Sequence, residues 1–406
     1  MPTTFAYKVR DKGGKIVEGQ LEADNLVLVT SKLRAMGYTP INVEQRDTPK
    51  LKTEIKIPGL SDRVKLKDVA VFSRQFATMI NSGLTLLRSL AILAEQTENK
   101  ELARIANEVR LDVERGSSLS GAMAKHPKAF NRLYVSMVKS GEAGGVLDSV
   151  LVRLADTIEK QVELRRKIKS AMTYPAVVAV LVFLIATGMI LFVVPMFKNI
   201  YKELGGTLPT PTRVLLGISG VARRFWYIVI GVEVAAVFAF RHWITTEEGR
   251  KRWDAMKLRF PVFGPLVRKT ALARFARTLA ALTRSGVPIL ESLDIVAETS
   301  GNHVVATAVR DTQAAVKGGD SLARPLENHE VFPPMVVQMM SVGEETGALD
   351  EMLDKIADFY DQEVEATVDA LTSLIEPILI VIMGVVVGGM IVSLYLPMFN
   401  IIKLIK

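Results

Sequence analysis

The sequence predicts a mainly α-helical, polytopic membrane protein with two homologous cytoplasmic six-helix-bundle domains, three transmembrane helices and a small N-terminal α/β module. Three observations support this fold class. Of the 406 residues, 49% are hydrophobic, more than is usual for a soluble chain of this length. Residues 175–197 and 377–399 contain no charged side chain. A long segment that precedes each of these two stretches occurs twice.

The N-terminal region, residues 1–46, has an α/β pattern. FAYKVRDKGGKIVEGQLEA reads as two strands around a Gly-Gly turn, DNLVLVTSKLRAMGY as a helix, and TPINVEQ as a third strand. A polar linker with Pro49 and Pro58-Gly59 follows. Because no apolar run follows a basic start, the chain does not begin like a signal peptide, and we expect this module in the cytoplasm.

The internal repeat is the strongest pattern in the chain. Residues 72–99 align without a gap with residues 275–302 at a shift of 203, and SGEAGGVLD matches VGEETGALD at a shift of 202. A register held over so long a segment indicates duplication. The matched motif residues are Ser82 and Ser285, Gly83 and Gly286, Gly141 and Gly343, Glu142 and Glu344, Gly145 and Gly347, and Asp148 and Asp350.

Within each copy the hydrophobic spacing is helical. In residues 76–93 apolar side chains recur every three or four positions, which predicts one amphipathic helix with the Ser82-Gly83 pair tolerated or kinked inside it. Short amphipathic helices bury their apolar stripes against one another. We therefore expect about six helices per copy, the last of which leads into the membrane.

Three segments are predicted to span a membrane. Residues 175–197 and 377–399 are long enough to cross a hydrocarbon core of ~30 Å as helices. A third, shorter run, residues 225–240, carries Glu233 near its middle and is flanked by arginines. The basic stretches RRKIK (165–169) and GRKRWDAMKLR (249–259) predict cytoplasmic flanks. Parallel orientation of the two copies then places the C-terminal tail outside, although its two lysines alone favour the inside.

These observations define a domain map. The predicted order is the N-terminal module 1–46, linker 47–66, first bundle 67–171, first transmembrane helix 172–197, extracytoplasmic segment 198–222, second transmembrane helix 223–243, second bundle 244–374, third transmembrane helix 375–399 and extracytoplasmic tail 400–406.

The glycine-rich stretch KSGEAGGVLD (139–148) first suggests a phosphate-binding loop. No Lys-Ser/Thr pair follows it, and Glu142 would repel a phosphate. The second copy keeps Gly347 but replaces Gly144 by Thr346. A glycine cap at a helix junction, followed by an acid in the next first turn, explains what both copies share. Glu142 and Glu344 remain weak candidates for a partner contact or a cation site.

Inside the membrane segments, Glu233 is the other functional candidate, because an ionisable group at mid-membrane is costly unless it is paired or functional. A protonated glutamate packed between helices is the alternative. Gly384 and Gly388 are spaced for close packing with another helix. Pro175 and Pro377 mark matching positions at the start of the two uncharged stretches.

Composition argues against several other functions. The chain has no cysteine and only four scattered histidines, so apart from the candidates Glu142 and Glu344 no metal ligand is predicted, and no catalytic residue or cofactor is predicted. The basic clusters border the predicted spans and lack the interleaved aromatics that stack on bases, which argues against nucleic acid.

The paired motifs FSRQFATMINSGLTLLRSL and ARFARTLAALTRSGVPILESL, the two GExxGxLD turns and the two PMF ends resemble the platform proteins of type IV pili and type II secretion systems, the F-protein family. The resemblance extends over about residues 1–402 and implies a non-enzymatic protein of the inner membrane. It also implies partners: a cytoplasmic hexameric assembly ATPase, pilin or pseudopilin subunits, other inner-membrane components, membrane lipid and further copies of the chain. From the residues alone, a small-solute transporter or channel built from parallel repeats is the alternative.

Overall fold

The computed structural model describes residues 3–10, 16–23, 26–45, 63–193, 195–196 and 210–404. The chain divides into two compact units, Met1–Ser61 and Asp62–Lys406. Most of the predicted linker and the first part of the predicted extracytoplasmic segment, residues 198–209, lie outside the described residues.

The N-terminal unit is a small antiparallel sheet with one helix. Its elements are β1 (Thr3–Arg10), β2 (Ile16–Ala23), α1 (Leu26–Ala35) and β3 (Thr39–Gln45). The strand order is β2-β1-β3, with Phe5 opposite Leu21 on one side and Gln45 on the other. Phe5 and Val9 are four residues apart on β1. Because successive side chains of a strand alternate between its two faces, both point to the same face. There they bury against Val29 and Leu33 of α1.

The first repeat consists of six helices. They are α2 (Leu66–Asn81), α3 (Leu86–Gln96), α4 (Lys100–Glu114), α5 (Leu119–Ala124), α6 (Arg132–Gly144) and α7 (Leu147–Gly188). Side-chain oxygens of Asn99, Ser118 and Asn131 cap the free N–H groups at the starts of α4, α5 and α6. A short π-helix, Met189–Val193, continues α7.

The second repeat follows two connecting helices. The connecting helices are α8 (Thr210–Thr245) and α9 (Glu247–Arg259), and the repeat comprises α10 (Gly264–Arg284), α11 (Ile289–Thr299), α12 (His303–Lys317), the 3₁₀ helix Arg324–Asn328, α13 (Pro334–Thr346) and α14 (Leu349–Leu404). The 3₁₀ helix stands where the first repeat has α5. Each copy thus contains the six helical segments that the repeat predicts.

The prediction of one amphipathic helix over residues 76–93 is wrong. The chain leaves the helix at Asn81, and Gly83 adopts φ +85° before α3 starts at Leu86. Gly286 has φ +74° at the matching position. Glycine is favoured there because a Cβ makes the left-handed region unfavourable. The apolar residues on both sides of Ser82-Gly83 therefore belong to two helices that pack on each other.

A single hydrophobic core joins the two repeats. One continuous cluster of buried side chains contains Phe72, Phe76 and Tyr134 of the first copy with Phe275 and Phe332 of the second. Packing the helices of the two copies together buries more apolar surface than two separate bundles would bury. The copies therefore form one compact body rather than two separate bundles.

Two helices of the described chain are long and apolar enough to span a membrane, within Leu147–Val193 and Leu349–Ser393. Their apolar windows are almost entirely unburied by protein. The helix that contains the predicted middle span, α8, starts at Thr210 and is kinked at Phe225. In its first part, the Thr212 hydroxyl donates to the Ser393 carbonyl at 2.5 Å and the Ser219 hydroxyl to the Ile190 carbonyl at 2.7 Å.

Candidate functional site

The duplicated glycine motif forms a corner in each repeat, residues 141–148 and 343–350, at which the chain turns into the long apolar helix. Gly145 (φ +66°) and Gly347 (φ +72°) end α6 and α13 in the left-handed conformation. The structure thus has the predicted glycine-capped junction at both positions. Asp148 and Asp350 lie in the first turn of the next helix, where a carboxylate interacts favourably with the helix dipole.

Gly141 and Gly343 allow the two helices of each corner to approach closely. A Cβ placed on Gly343 would lie 2.9 Å from the Leu349 Cα and 3.0 Å from the Met352 Cγ. On Gly141 it would lie 3.1 Å from the Val150 Cβ. Both glycines are buried. The sequence singled them out as repeated residues, and the structure shows that they set the distance between the crossing helices.

The carboxylates of Glu142 and Glu344 make equivalent contacts inside their own repeats. Glu142 accepts hydrogen bonds from the Leu119 N–H at 2.5 Å, the Ser120 N–H at 3.0 Å and the Ser120 hydroxyl at 2.5 Å. Glu344 accepts from the Leu322 N–H at 2.9 Å and the Ala323 N–H at 3.4 Å. Each carboxylate thus binds N–H groups at the start of the fifth helical segment, which have no partner within a helix.

These contacts bear on the alternatives for Glu142 and Glu344. Their oxygens face backbone donors of the same repeat, an arrangement that holds a carboxylate in place without a cation. Among the described residues, no group of three or more His, Asp and Glu side chains is placed to hold a metal ion. The structure therefore gives both glutamates a capping contact within their own repeat.

A second duplicated feature is an ion-pair cluster, which we call the arginine clamp: Arg74 with Asp156 and Glu159, and Arg277 with Asp358 and Asp361. In the first repeat the Arg74 Nε lies 2.8 Å from the Glu159 Oε1, and its Nη2 lies 2.5 Å from the Asp156 Oδ1. Arg74 is on α2 and both acids are on α7. The clamp therefore fixes the first helix of the repeat to the helix that continues into the apolar segment.

The second repeat has the same clamp at matching positions. The Arg277 Nη2 on α10 lies 3.1 Å from the Asp358 Oδ1 and 2.5 Å from the Asp361 Oδ2, both on α14. The two environments differ. The Arg74 hydrogen bonds lower the pKa of Glu159, whereas burial raises the pKa of Asp361 although Arg277 opposes this shift.

Polar contacts also join one repeat to the other. Arg132 at the start of α6 lies 2.7 Å from Asp294 and 3.2 Å from Glu298, both on α11. The Ser140 hydroxyl donates to the Ser285 carbonyl at 2.5 Å, directly at the second Ser-Gly turn. The Lys167 Nζ lies 3.0 Å from Glu365, which joins α7 to α14 close to the apolar segments. A displacement of either repeat is thus resisted by the other.

The Ser-Gly turns have different partners in the two copies. The Ser82 hydroxyl donates back to the Thr78 carbonyl at 2.8 Å, which is a local contact. The buried Ser285 hydroxyl has no hydrogen-bond partner among the described residues. Its carbonyl instead receives the bond from Ser140. The second turn is therefore part of the contact between the repeats, which the sequence match did not indicate.

The candidate residues of the apolar helices lie apart from the clamps. Glu233 is exposed on α8 within a run of exposed side chains, residues 231–240. No other atom lies within 4 Å of a Cβ built on Gly384 or Gly388, so this glycine pair contacts no second helix among the described residues. Pro175 is buried inside α7, whereas Pro377 is exposed on α14.

Arg74 and Arg277 occupy matching positions of the sequence repeat, but their acidic partners were not predicted. The signal was present, because the two acids of each clamp also match at a shift of 202 residues. An arginine and an acid that are both kept by duplication, on helices expected to pack together, can be tested as an ion pair. Among the described residues, these clamps are a charged arrangement that both repeats share.

Comparison with known proteins agrees with the duplicated architecture. The family described as type II secretion system (T2SS), protein F, matches residues 72–195 and again residues 275–397. The N-terminal domain of type II secretion system protein F matches residues 1–44. The two family matches coincide with the two repeats and the apolar helices that follow them.

Individual relatives match over nearly the whole chain. The type IV pilus assembly protein PilC of Thermus thermophilus is 47% identical, over 98% of this chain and 98% of that protein. The PilC of Myxococcus xanthus is 43% identical, over 98% and 94%. The type II secretion system protein F of Pseudomonas aeruginosa is 34% identical, over 99% of both chains. With two copies of the family domain, an N-terminal domain of the same family and relatives of this similarity, the chain belongs to the type II secretion system protein F family, which includes type IV pilus assembly proteins of the PilC type.

Proposed function

We propose that this chain is the inner-membrane platform of a type IV pilus or type II secretion machine. In this role it couples a cytoplasmic assembly ATPase to the assembly of a pilin or pseudopilin fibre. The names of the relatives support a place in such a machine. The arginine clamp is the observation that best supports this coupling. It is present in both repeats, on the helix that continues into an apolar segment.

The mechanical argument starts from α7 and α14. Each is one long helix whose first half packs in the cytoplasmic body and whose second half is apolar and unburied. A continuous helix transmits a rotation or a tilt along its axis if its cytoplasmic half is held firmly. The clamp and the glycine corner hold that half at two places. Motion imposed on the body by an ATPase then reaches the membrane through both helices.

The proposed topology has three spans with the N-terminus and both repeats in the cytoplasm. The basic flanks 165–169 and 249–259 support this orientation. Thr212 and Ser219 of α8 contact Ser393 and Ile190 inside the two apolar segments. We therefore extend the middle span toward Thr212 from its predicted start at residue 223. The segment between the first two spans and the C-terminal tail are then extracytoplasmic.

The partners follow from the same role. They are a hexameric assembly ATPase, pilin or pseudopilin subunits, other inner-membrane components, membrane lipid and other copies of this chain, and no enzymatic activity, cofactor or nucleic acid is required. Neither a transporter nor a channel is named among the relatives described above, so that alternative is not favoured. Gly384 and Gly388, against which no second helix of the described chain packs, offer a surface for a pilin helix or a second copy.

Deleting the gene and co-purifying the protein tests this proposal. Surface filaments or pseudopilus-dependent secretion should disappear in the deletion strain and return with the wild-type gene. The solubilised protein should retain its cognate ATPase. Unchanged filaments and secretion in the deletion strain, with no ATPase bound to the protein, would refute the proposed role.

A further inference from the structure

A basic cavity lies between the two repeats. Its volume is ≈ 450 Å³, and α7, α10 and α14 form its walls. Asp361 is the one acid in its lining. Five cationic side chains also line it: Lys160, Arg165, Lys169, Arg274 and Arg277. This excess of positive charge is local, because the neighbouring groove along the clamps contains acids in similar number to its bases.

Of these cations, Arg165, Lys169 and Arg274 form no ion pair with a described residue, whereas Lys160 lies near Asp361. Arg277 is held by Asp358 and Asp361 in the clamp. Arg274, although half-buried, forms no hydrogen bond or ion pair with any described residue. Burial lowers the pKa of its guanidinium, and the like charge of Arg165 on α7 adds to this effect. A half-buried cation without a partner destabilises the folded protein, and a bound anion would remove that cost.

The cavity is next to the apolar part of α7. Lys169 and Met172 line its far end, and the uncharged run begins at Pro175. At ~1.5 Å per residue, Lys169 is about 9 Å along the helix axis from that proline. Leu164, Ile168 and Met172 form an apolar side of the cavity. Cations at this level, beside an apolar strip, match a ligand that has both an anionic headgroup and hydrocarbon chains.

We propose that the cavity binds the phosphate of an anionic phospholipid headgroup between Arg165 of α7 and Arg274 of α10. Lys160 and Lys169 supply further charge, and the acyl chains follow the apolar side of α7 toward the membrane. A phosphate in this position bridges the two repeats, because its two arginines belong to different copies. The inference rests on the proposed insertion of residues 175–197 in the membrane, but not on the proposed role in fibre assembly.

The test uses the full chain, purified in detergent and in nanodiscs. Binding of phosphatidylglycerol is measured by native mass spectrometry and by the shift in melting temperature, with phosphatidylcholine as the uncharged comparison. Inorganic pyrophosphate is the soluble probe. The variants are Arg165→Gln, Arg274→Gln and their double. Arg166→Gln is the matched control, since it removes the same charge from the next residue of the same helix, which does not line the cavity.

The expected result separates the cavity from general surface charge. Phosphatidylglycerol should stabilise the wild type and Arg166→Gln equally. It should bind the double variant at least about tenfold more weakly, because two arginines that would form charged hydrogen bonds are lost. Without lipid, Arg274→Gln should melt no lower than the wild type, because it removes an unpaired charge. Such a result would show that weaker lipid binding by Arg274→Gln does not come from misfolding.

Three outcomes would overturn the proposal. Equal loss of binding in Arg166→Gln and in the cavity variants would mean that the lipid binds the basic surface as a whole. Stabilisation by pyrophosphate but not by phosphatidylglycerol would identify a soluble phosphate compound as the ligand and refute the lipid assignment. Equal binding of phosphatidylcholine and phosphatidylglycerol would remove the role of the headgroup charge. All these measurements use purified protein, so they are independent of filament assembly.

Discussion

Arg74 on α2 and Glu159 on α7 are joined by two parallel hydrogen bonds, of 2.8 Å from Nε to Oε1 and 2.6 Å from Nη2 to Oε2. Arg277 joins α10 to α14 at the matching place in the second repeat. An ion pair kept in both copies, each time on the helix that continues into an apolar segment, ties the body of packed helices to that segment. The clamp is therefore the feature from which the coupling role is best tested.

Removing the clamp should lower stability modestly. Arg74→Ala loses a two-pronged contact, but 38% of its side chain is exposed, so we expect a loss of about 1 kcal/mol in the free energy of unfolding. Thermal unfolding of the detergent-solubilised protein measures it. Arg104→Ala is the control, because Arg104 makes equally short contacts with Glu101 and Glu108 within one helix. If both variants lose the same stability, the clamp is only another surface ion pair.

The glycine corner predicts a graded response to alanine. Gly343→Ala should cost about 1–3 kcal/mol, because its Cβ would lie 2.9 Å from backbone of the crossing helix. Gly144→Ala is the control in the corner of the other repeat. Its Cβ would contact only the Val146 side chain at 3.4 Å, and threonine occupies the matching position 346. Gly144→Ala should be neutral or slightly stabilising. Equal losses would refute close helix approach as the reason for Gly343.

The two clamps should respond to pH with opposite sign. The pKa of Glu159 is lowered by Arg74, so its contribution to stability is present above the unfolded pKa of ~4.3 and is lost as the pH falls through the lower folded value. The pKa of Asp361 is raised by burial. Its contribution is complete below the unfolded pKa of ~3.9 and is lost as the pH rises through the folded value.

Melting temperatures between about pH 3 and 7 can separate these two groups. As the pH falls, the melting temperature of Glu159→Gln should decrease less than that of the wild type. Asp361→Asn should remove the loss of stability that accompanies ionisation of Asp361 as the pH rises through its raised pKa. A Glu159→Gln variant with the full acid loss of the wild type would show that this ion pair does not titrate as described.

The proposed topology can be mapped with introduced cysteines, since the chain has none of its own. A membrane-impermeant maleimide applied to intact spheroplasts should label Thr210→Cys and Lys403→Cys. It should label Lys128→Cys, an exposed position of the first repeat, only after the cells are broken. Labelling of Lys403→Cys only after lysis would place the C-terminal tail inside. That result would contradict the parallel orientation of the two repeats.

Much of the fold could be predicted from the sequence because it depends on periodicity and duplication. The uncharged runs before Phe197 and Phe399 indicated the two apolar helices, and the repeat indicated two copies of one helical domain. The break at Ser82-Gly83 was missed because the apolar spacing continues across it, and spacing alone does not distinguish a kink from a left-handed turn. The start of α8 at Thr210 was missed because its first part is less apolar and contains Pro211 and Arg213.

The contacts of the candidate site were harder to predict. The partners of Glu142 are backbone N–H groups of Leu119 and Ser120, and backbone groups leave no mark in the sequence. The Arg74 clamp was within reach, since its acids repeat with it. The continuous core could not be predicted, because each repeat has enough apolar positions to suggest a bundle of its own.

The most direct test of the coupling role is a count of surface filaments, or of secreted substrate, in a deletion strain that produces only the Arg74→Ala/Arg277→Ala double variant. The Arg104→Ala variant, at equal membrane abundance, serves as control. We expect the double variant to insert in the membrane and to bind its ATPase but to assemble few filaments, while the control assembles them normally. Wild-type assembly by the double variant would contradict the claim that the clamps transmit motion to the membrane helices.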